Sequence, residues 1–324
     1  MSGSTLTLPA FAKINLNLRV LGRRADGYHE IDTVYQTISL HDTITLTVTD
    51  NPEIGLSCDD RSLPVDADNL VYRAARALQD RLAPKNRAAK ALADRLAPKR
   101  GVRIRLEKRI PLQAGLGGGS SDAAVTLIGL VHLWKLNVTR EDLISIASQL
   151  GADVSFFLVG GTALGRGTGK DLTQMDDAPD KFLLVVKPNA SIPTPDAYKL
   201  LKACSLTTAE AKTILSSSQR IEISNSLDSE ALQNDFEPVV FELEPEIERA
   251  KVALMNAGAE AALLAGSGSA VFGIFGSEDA QERAMRAIEL ESGWRVFPCR
   301  TVGRSHYRSA MGPCGANFGR FTGP

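Results

Sequence analysis

Cysteine is scarce in this chain and scattered. Cys58, Cys204, Cys299 and Cys314 are the only four in 324 residues, and no two form a C-x-x-C pair. Neither a zinc site of that spacing nor a disulfide framework is supported, and no metal-ligating residues are expected. An excess of one charge is also missing. The 37 Lys and Arg against 38 Asp and Glu leave a formal net charge of -1, which gives no electrostatic reason to expect a nucleic-acid partner. No stretch approaches the roughly 18 apolar residues that span a bilayer, and the first residues lack the basic-then-apolar order of a signal peptide. No membrane partner is expected, and a reducing cytoplasm is the default setting. Two common nucleotide motifs are absent as well: no Gly-Lys-Ser/Thr closes a Walker A loop, and no third glycine completes a dinucleotide fingerprint.

What is present is an ordinary globular composition, 44% hydrophobic and 23% charged, with a length that suits two domains. One stretch dominates it: Pro111-Leu112-Gln113-Ala114-Gly115-Leu116-Gly117-Gly118-Gly119-Ser120-Ser121-Asp122-Ala123-Ala124. Its glycines remove the β-carbons that keep a backbone away from a ligand, and they permit positive φ. Ser120 and Ser121 are good N-cap residues. Ala123, Ala124, Leu127, Leu130, Val131 and Trp134 follow at helical spacing. A glycine-rich loop running into a helix N-terminus favours an anion, most often phosphate. The plainer alternative is a flexible turn before a buried helix, which so much glycine disfavours.

Upstream, Ala12, Ile14, Leu16, Leu18 and Val20 alternate with Lys13, Asn15, Asn17 and Arg19, a strand with one apolar and one polar face. A solvated polar face is the common case, and a joint role for Lys13 and Asn15 is the sharper one. A loop with Arg23, Arg24 and Asp26 leads to Tyr28-His29, residues able to stack on a base and bond its edge or simply to be a packed tyrosine beside a surface histidine. Residues 34–48 read as strand, and Asn69 opens a helix through Leu82. Residues 74–85 recur at 88–99, a local duplication too short for a solenoid. Residues 80–109 hold eleven Lys and Arg against three Asp and Glu, a solvated basic face or a patch that attracts an anion. Val102, Ile104 and Leu106 form a strand feeding the glycine loop. Thr139 is placed to cap a helix that Gly151 stops. Asp153 then enters the apolar run Val154 to Leu158, so it must be paired, capping or functional. Later come the turn Ser191-Ile192-Pro193-Thr194-Pro195, able to present Thr194 and Tyr198 to a cleft, and a second glycine/serine loop, Ala265 to Phe272. Ser277 is a candidate cap. Residues 306–324 read as a loose tail.

Lys13-Ile14-Asn15-Leu16, Pro111 to Ala124 and Ala265 to Phe272, in that order, resemble the three motifs of the galactokinase, homoserine kinase, mevalonate kinase and phosphomevalonate kinase (GHMP) superfamily. Asp26-Gly27-Tyr28-His29, Gly151-Ala152-Asp153-Val154 and Ile192-Pro193-Thr194-Pro195 bring it closest to the branch that phosphorylates 4-diphosphocytidyl-2-C-methyl-D-erythritol in the non-mevalonate isoprenoid route. The resemblance covers about residues 8 to 303; the duplicated segment and the tail depart from it. It implies an α+β fold of two domains, an ATP-binding one over 1–164 and a C-terminal one over 165–305, with the active site in the cleft between them. It implies ATP and Mg²⁺, the latter held mainly by the ATP phosphates, and a small-molecule substrate carrying a cytidine diphosphate group. The chain itself is expected to be a monomer or homodimer.

By residue, the resemblance implies Lys13 and Asp153 as the catalytic pair. Asp153 would accept or orient the substrate hydroxyl, and Lys13 would hold that carboxylate and stabilise charge on the transferred group. Pro111 to Ser121 would bind the triphosphate, with Ser120 and Ser121 reaching its oxygens or the Mg²⁺, and Asn69 would lie near adenine or ribose. Tyr28 and Tyr198 would sandwich the cytosine, His29 would bond its edge, and Asn15 and Thr194 would hold nearby substrate groups. The rivals are a kinase of the same kind acting on homoserine, mevalonate or another small alcohol, and a nucleotide-binding regulator without turnover. Tyr28-His29 and the Pro-Thr-Pro turn argue against the first, and the Lys13 and Asp153 pair against the second.

Overall fold

A computed structural model describes residues 4–82, 101–201 and 232–315. The second copy of the duplication, Cys204 and the polar stretch 216–229 lie outside the described residues. The first sheet takes its strands from β1 (Thr5–Arg23), β2 (His29–Thr49), β3 (Ile54–Cys58), β4 (Gly101–Glu107), β5 (Thr162–Gly167), β6 (Asp171–Gln174) and the two-residue β8 (Gln233–Asn234). Their order is β3-β4-β2-β1-β8, with β5 pairing β2 and β6 pairing β5. The long β2 serves two neighbours: its first half pairs β5 and its second half pairs β4. The second sheet is antiparallel, β11 (Arg295–Arg300), β7 (Phe182–Lys187), β10 (Val271–Phe275) and β9 (Ala261–Leu264).

Helices α1 (Leu70–Leu82), α2 (Gly118–Leu133), α3 (Arg140–Leu150) and the single turn α4 (Val154–Phe157) belong with the first sheet. Helices α5 (Thr194–Leu200), α6 (Glu237–Leu243), α7 (Pro245–Asn256) and α8 (Glu278–Ile288) belong with the second. Two expected caps are present: Thr139 accepts the Asp142 N–H at 3.2 Å and Ser277 accepts the Ala280 N–H at 3.2 Å, each worth about 1 kcal/mol. Helix α2 is buried over every residue from Ser121 to Val131, so it is the central rod of its layer. None of the described helices is long and apolar enough to cross a membrane.

A third apolar cluster joins the two units. Ala12, Ile14, Leu16, Val34 and Ile38 of the first sheet meet Leu183, Val185 and Phe272 of the second. This explains why the alternation of β1 misleads. Its apolar face is buried under the second unit, but Lys13, Asn15 and Asn17 are buried too. The plainer alternative of a solvated face does not hold: Lys13 and Asn15 line the cleft. A buried polar row must find partners. Asn15 donates to Thr33 Oγ1 at 2.7 Å, and that hydroxyl donates to the Asn17 carbonyl at 2.7 Å. A bulge at Leu16 also interrupts the β1–β2 register, a feature common beside active sites.

Two further expectations change. The expected domain limit at 164/165 falls inside β5, because the first sheet continues to Gln174. Residues 304–315 are no loose tail: α9 (Arg304–Ala310) and a short 3₁₀ turn (Gly312–Cys314) dock on the first unit. Tyr307, Met311 and Cys314 are wholly buried there, which is why residues without obvious periodicity still fold.

Candidate active site

The glycine loop turns through three left-handed residues, Gln113, Gly115 and Gly117. Gly117 has φ 71° and stands at the N-cap of α2. A β-carbon there would lie 2.9 Å from the Phe157 ring and 3.1 Å from Lys13 Cγ, so glycine is required by both angle and space. Helix α2 begins one residue later, and Ser121 N–H to Gly117 O, 2.9 Å, is its first bond. The N–H groups of Gly118, Gly119 and Ser120 therefore precede the intrahelical ladder and are free to face an anion. Ser120 and Ser121 sit in the first turn rather than at the cap.

The loop forms one wall of a cavity of about 480 Å³. Pro111 to Ser120 all line it. Ser121 does not: it is fully buried, and its hydroxyl has no partner among the described residues. The loop is sewn to the second glycine/serine loop. Ser269 N–H donates to Gln113 O and Ala270 N–H to Ala114 O, both at 3.2 Å. This brings Gly266 and Ser267 to the cavity, and Thr194 shares a hydrogen bond of 2.9 Å with Ser267.

Lys13 and Asp153 meet in the same cavity, beside the loop. Lys13 Nζ is 3.4 Å from Asp153 Oδ2 and donates to Asn15 Oδ1 at 2.8 Å. The Lys13 side chain is 5% exposed and that of Asp153 27%. The backbone of Lys13 is tied to the loop as well, its N–H donating to Leu116 O at 3.0 Å. Asp153 stands at the N-cap of α4 but makes no capping bond with its side chain, so the capping alternative is not what is seen. Its other oxygen accepts from the Tyr35 hydroxyl at 3.1 Å. The pair thus places an ammonium and a proton acceptor beside a row of backbone N–H donors.

A second cavity of about 860 Å³ continues the first, sharing Ala152, Thr168, Thr194 and Tyr198 with it. Tyr28 and His29 line this part. Tyr28 is 66% exposed. His29 stacks directly on Tyr198, ring centroids 4.7 Å apart and planes at 29°. The expected gap between Tyr28 and Tyr198 is therefore filled on the Tyr198 side by the imidazole, two rings that are far apart in sequence and meet only in the folded chain. Burial first, then Arg23, lowers the His29 pKa, so the ring is neutral at neutral pH. Burial and then Asp153 push the Tyr198 phenol up to about 12.

Asn69 is not brought to the cavity. Its Oδ1 accepts the Val71 N–H at 2.9 Å and its Nδ2 donates to Pro64 O at 2.8 Å, so the amide caps α1 and Leu70 faces the cavity instead. The sequence reading also missed a buried cluster. Lys108 lies between Asp42 and Asp122, donating to Asp122 at 2.8 Å. Asp42 also accepts the Ile110 N–H at 2.8 Å, which pins the chain where it leaves β4 for the loop. Burial pushes the Asp122 carboxyl up to about 8, with Lys108 opposing and Asp42 adding. In sequence Lys108 was one of eleven basic residues, and nothing local set it apart.

A two-unit α+β fold, a glycine loop at a buried helix and a lysine–aspartate pair define a kinase of the GHMP type. The GHMP kinase N-terminal domain model matches residues 69–161 and the C-terminal domain model matches residues 214–292. A 4-diphosphocytidyl-2-C-methyl-D-erythritol kinase of Solibacter usitatus is 41% identical over 93% of this chain and 90% of its own length. One of Citrifermentans bemidjiense is 38% identical over 92% and 99%. A crystal structure of 4-(cytidine 5'-diphospho)-2C-methyl-D-erythritol kinase matches with a TM-score of 0.69 at 34% identity, covering 92% of this chain and 100% of that one. Homoserine kinase from Cytophaga hutchinsonii, at 21% identity and a TM-score of 0.66, covering 93% and 95%, shares the fold. The chain belongs to the 4-diphosphocytidyl-2-C-methyl-D-erythritol kinase family.

Proposed function

We propose that Lys13 and Asp153 carry out the reaction of this family: transfer of the γ-phosphoryl group of ATP to the 2-hydroxyl of 4-diphosphocytidyl-2-C-methyl-D-erythritol, giving the 2-phosphate and ADP. The observation that carries it is the 3.4 Å Lys13–Asp153 pair facing the N-terminus of α2. Phosphoryl transfer asks for positioning and charge stabilisation more than covalent help. The free N–H groups of Gly118, Gly119 and Ser120 suit the triphosphate. Lys13 suits the charge on the transferred group. Asp153 suits a hydroxyl that loses its proton late, since an alcohol is a weak acid and the transition state is loose.

The second cavity, with Tyr28, His29 and Tyr198, suits the cytidine diphosphate end of the acceptor, with Asn15 and Thr194 beside the reacting end. A neutral His29 is able to donate or accept at a base edge. Mg²⁺ carried by the ATP phosphates belongs to this reading, and Ser120, the serine of the pair that lines the cavity, suits those phosphates or the ion they would hold.

The test is ADP release from Mg-ATP with 4-diphosphocytidyl-2-C-methyl-D-erythritol, against homoserine and mevalonate. Turnover is expected with the first alone. Asp153→Asn should still bind ATP while kcat falls about a hundredfold or more. Near-normal turnover in that variant would remove Asp153 from the mechanism, and ATP binding without ADP from any alcohol would favour a regulator.

A further inference from the structure

Tyr35 takes no part in the chemistry set out so far, yet it touches both members of the pair. It lies on β2, opposite Asn15 of β1 in the register. Its hydroxyl donates to Asp153 Oδ1 at 3.1 Å, while Lys13 Nζ holds Oδ2 at 3.4 Å and lies 5.6 Å from the Tyr35 ring centre. The ring is 2% exposed and packs on Phe156 at 4.9 Å between centroids. The chain makes room for the hydroxyl: at Gly169, φ 88°, a β-carbon would lie 2.5 Å from the Tyr35 oxygen. Burial, and then the Asp153 charge, raise the phenol well above its ordinary pKa, so it stays a donor throughout the working range. Besides Lys13, Tyr198 is a further titratable group that interacts with this carboxylate.

We propose that Tyr35 is the positioning residue of the reaction: its hydroxyl fixes the Asp153 carboxylate so that one oxygen stays with Lys13 and the open lone pair faces the acceptor hydroxyl. Two donors on adjacent strands hold a short side chain by both oxygens, which removes the rotation a carboxylate on a single-turn helix would otherwise keep. The donor is a neutral phenol, so it orients the carboxylate without adding a second positive charge that would weaken it as a proton acceptor. The proposal rests on the role of Asp153 given above.

The experiment is steady-state ADP release by the full chain and by Tyr35→Phe, Asp153→Asn and the double variant, with thermal unfolding of each. Phenylalanine keeps the buried ring, so Tm should hold. Tyr35→Phe should lower kcat about tenfold, the scale of one hydrogen bond to a charged group, and leave KM for ATP and for the acceptor unchanged. In the Asp153→Asn background the same change should remove nothing further. Gly169→Ala, which crowds the hydroxyl without deleting it, should lower kcat in the same way. Wild-type kcat in Tyr35→Phe overturns the proposal, as does a raised acceptor KM with kcat kept, or an equal fall in both backgrounds, which marks a structural role only. Normal turnover by Asp153→Asn alone overturns the reading of the pair, and the proposal with it; a slow Asp153→Asn beside a normal Tyr35→Phe overturns the proposal alone.

Discussion

Lys13 shows what burial demands of a charge. An ammonium at 4% residue exposure persists only where partners replace its water, and here they are the Asp153 carboxylate and the Asn15 carbonyl oxygen. Asp122 is the contrasting case. Its carboxyl is raised to about 8, mainly by burial, so between its unfolded value and about 8 the folded state binds more protons than the unfolded one. Stability from this group is full at low pH and declines as pH rises. Thermal unfolding should therefore show Tm falling from about pH 5 to about pH 8, and Asp122→Asn should flatten that slope. A variant with the wild-type slope would show that Asp122 is ionised throughout. At this scale the sequence was legible where a charge stood in an apolar stretch, as with Lys13 and Asp153. It was not legible at Asn69 or Ser121, where residues of suitable chemistry turn inward for local reasons, or at Lys108 and Tyr35, whose partners lie far along the chain.

Among the elements, the strand feeding the loop, the loop itself and α2 follow from local rules: alternation, glycine, then helical spacing. The starts of α3 and α8 were equally plain from Thr139 and Ser277. The bulge in β1 was not, because it is defined against β2. The helix α9 was hidden for a similar reason. It is seven residues long, and its fold depends on docking, with Tyr307 donating to the Phe157 carbonyl and its ring 5.6 Å from Phe11. Phe157 closes the turn that Asp153 begins. Ending the chain after Val302 should thus uncover Phe11 and Phe157, lower Tm by about 5 °C or more and reduce kcat. Unchanged unfolding in that truncation would make the segment an ornament.

The whole molecule is two sheets that share one apolar seam. The chain also crosses back: β8 pairs β1, and Val302 N–H donates to Thr37 O at 2.8 Å. The first unit thus borrows strands and turns from beyond residue 230, which no reading of neighbouring residues could foresee. Residues 1–174 made alone would expose Ala12, Ile14, Leu16, Val34 and Ile38, and burying each large apolar side chain is worth about 1.5–3 kcal/mol. That fragment should lack a cooperative thermal transition and bind a hydrophobic dye. A sharp transition would show that the first unit is independent.

The bonds from Gln113 and Ala114 to Ser269 and Ala270 have a thermodynamic meaning for the nucleotide. Glycine-rich segments are ordinarily the most mobile part of a binding site, and a ligand that orders them forfeits affinity. Here the opposite unit has already ordered the segment during folding, so a triphosphate bound as proposed would meet a stiff wall. On that reading the glycines contribute closeness of approach rather than motion, and the entropy they lose belongs to the folding of the chain rather than to the capture of ATP.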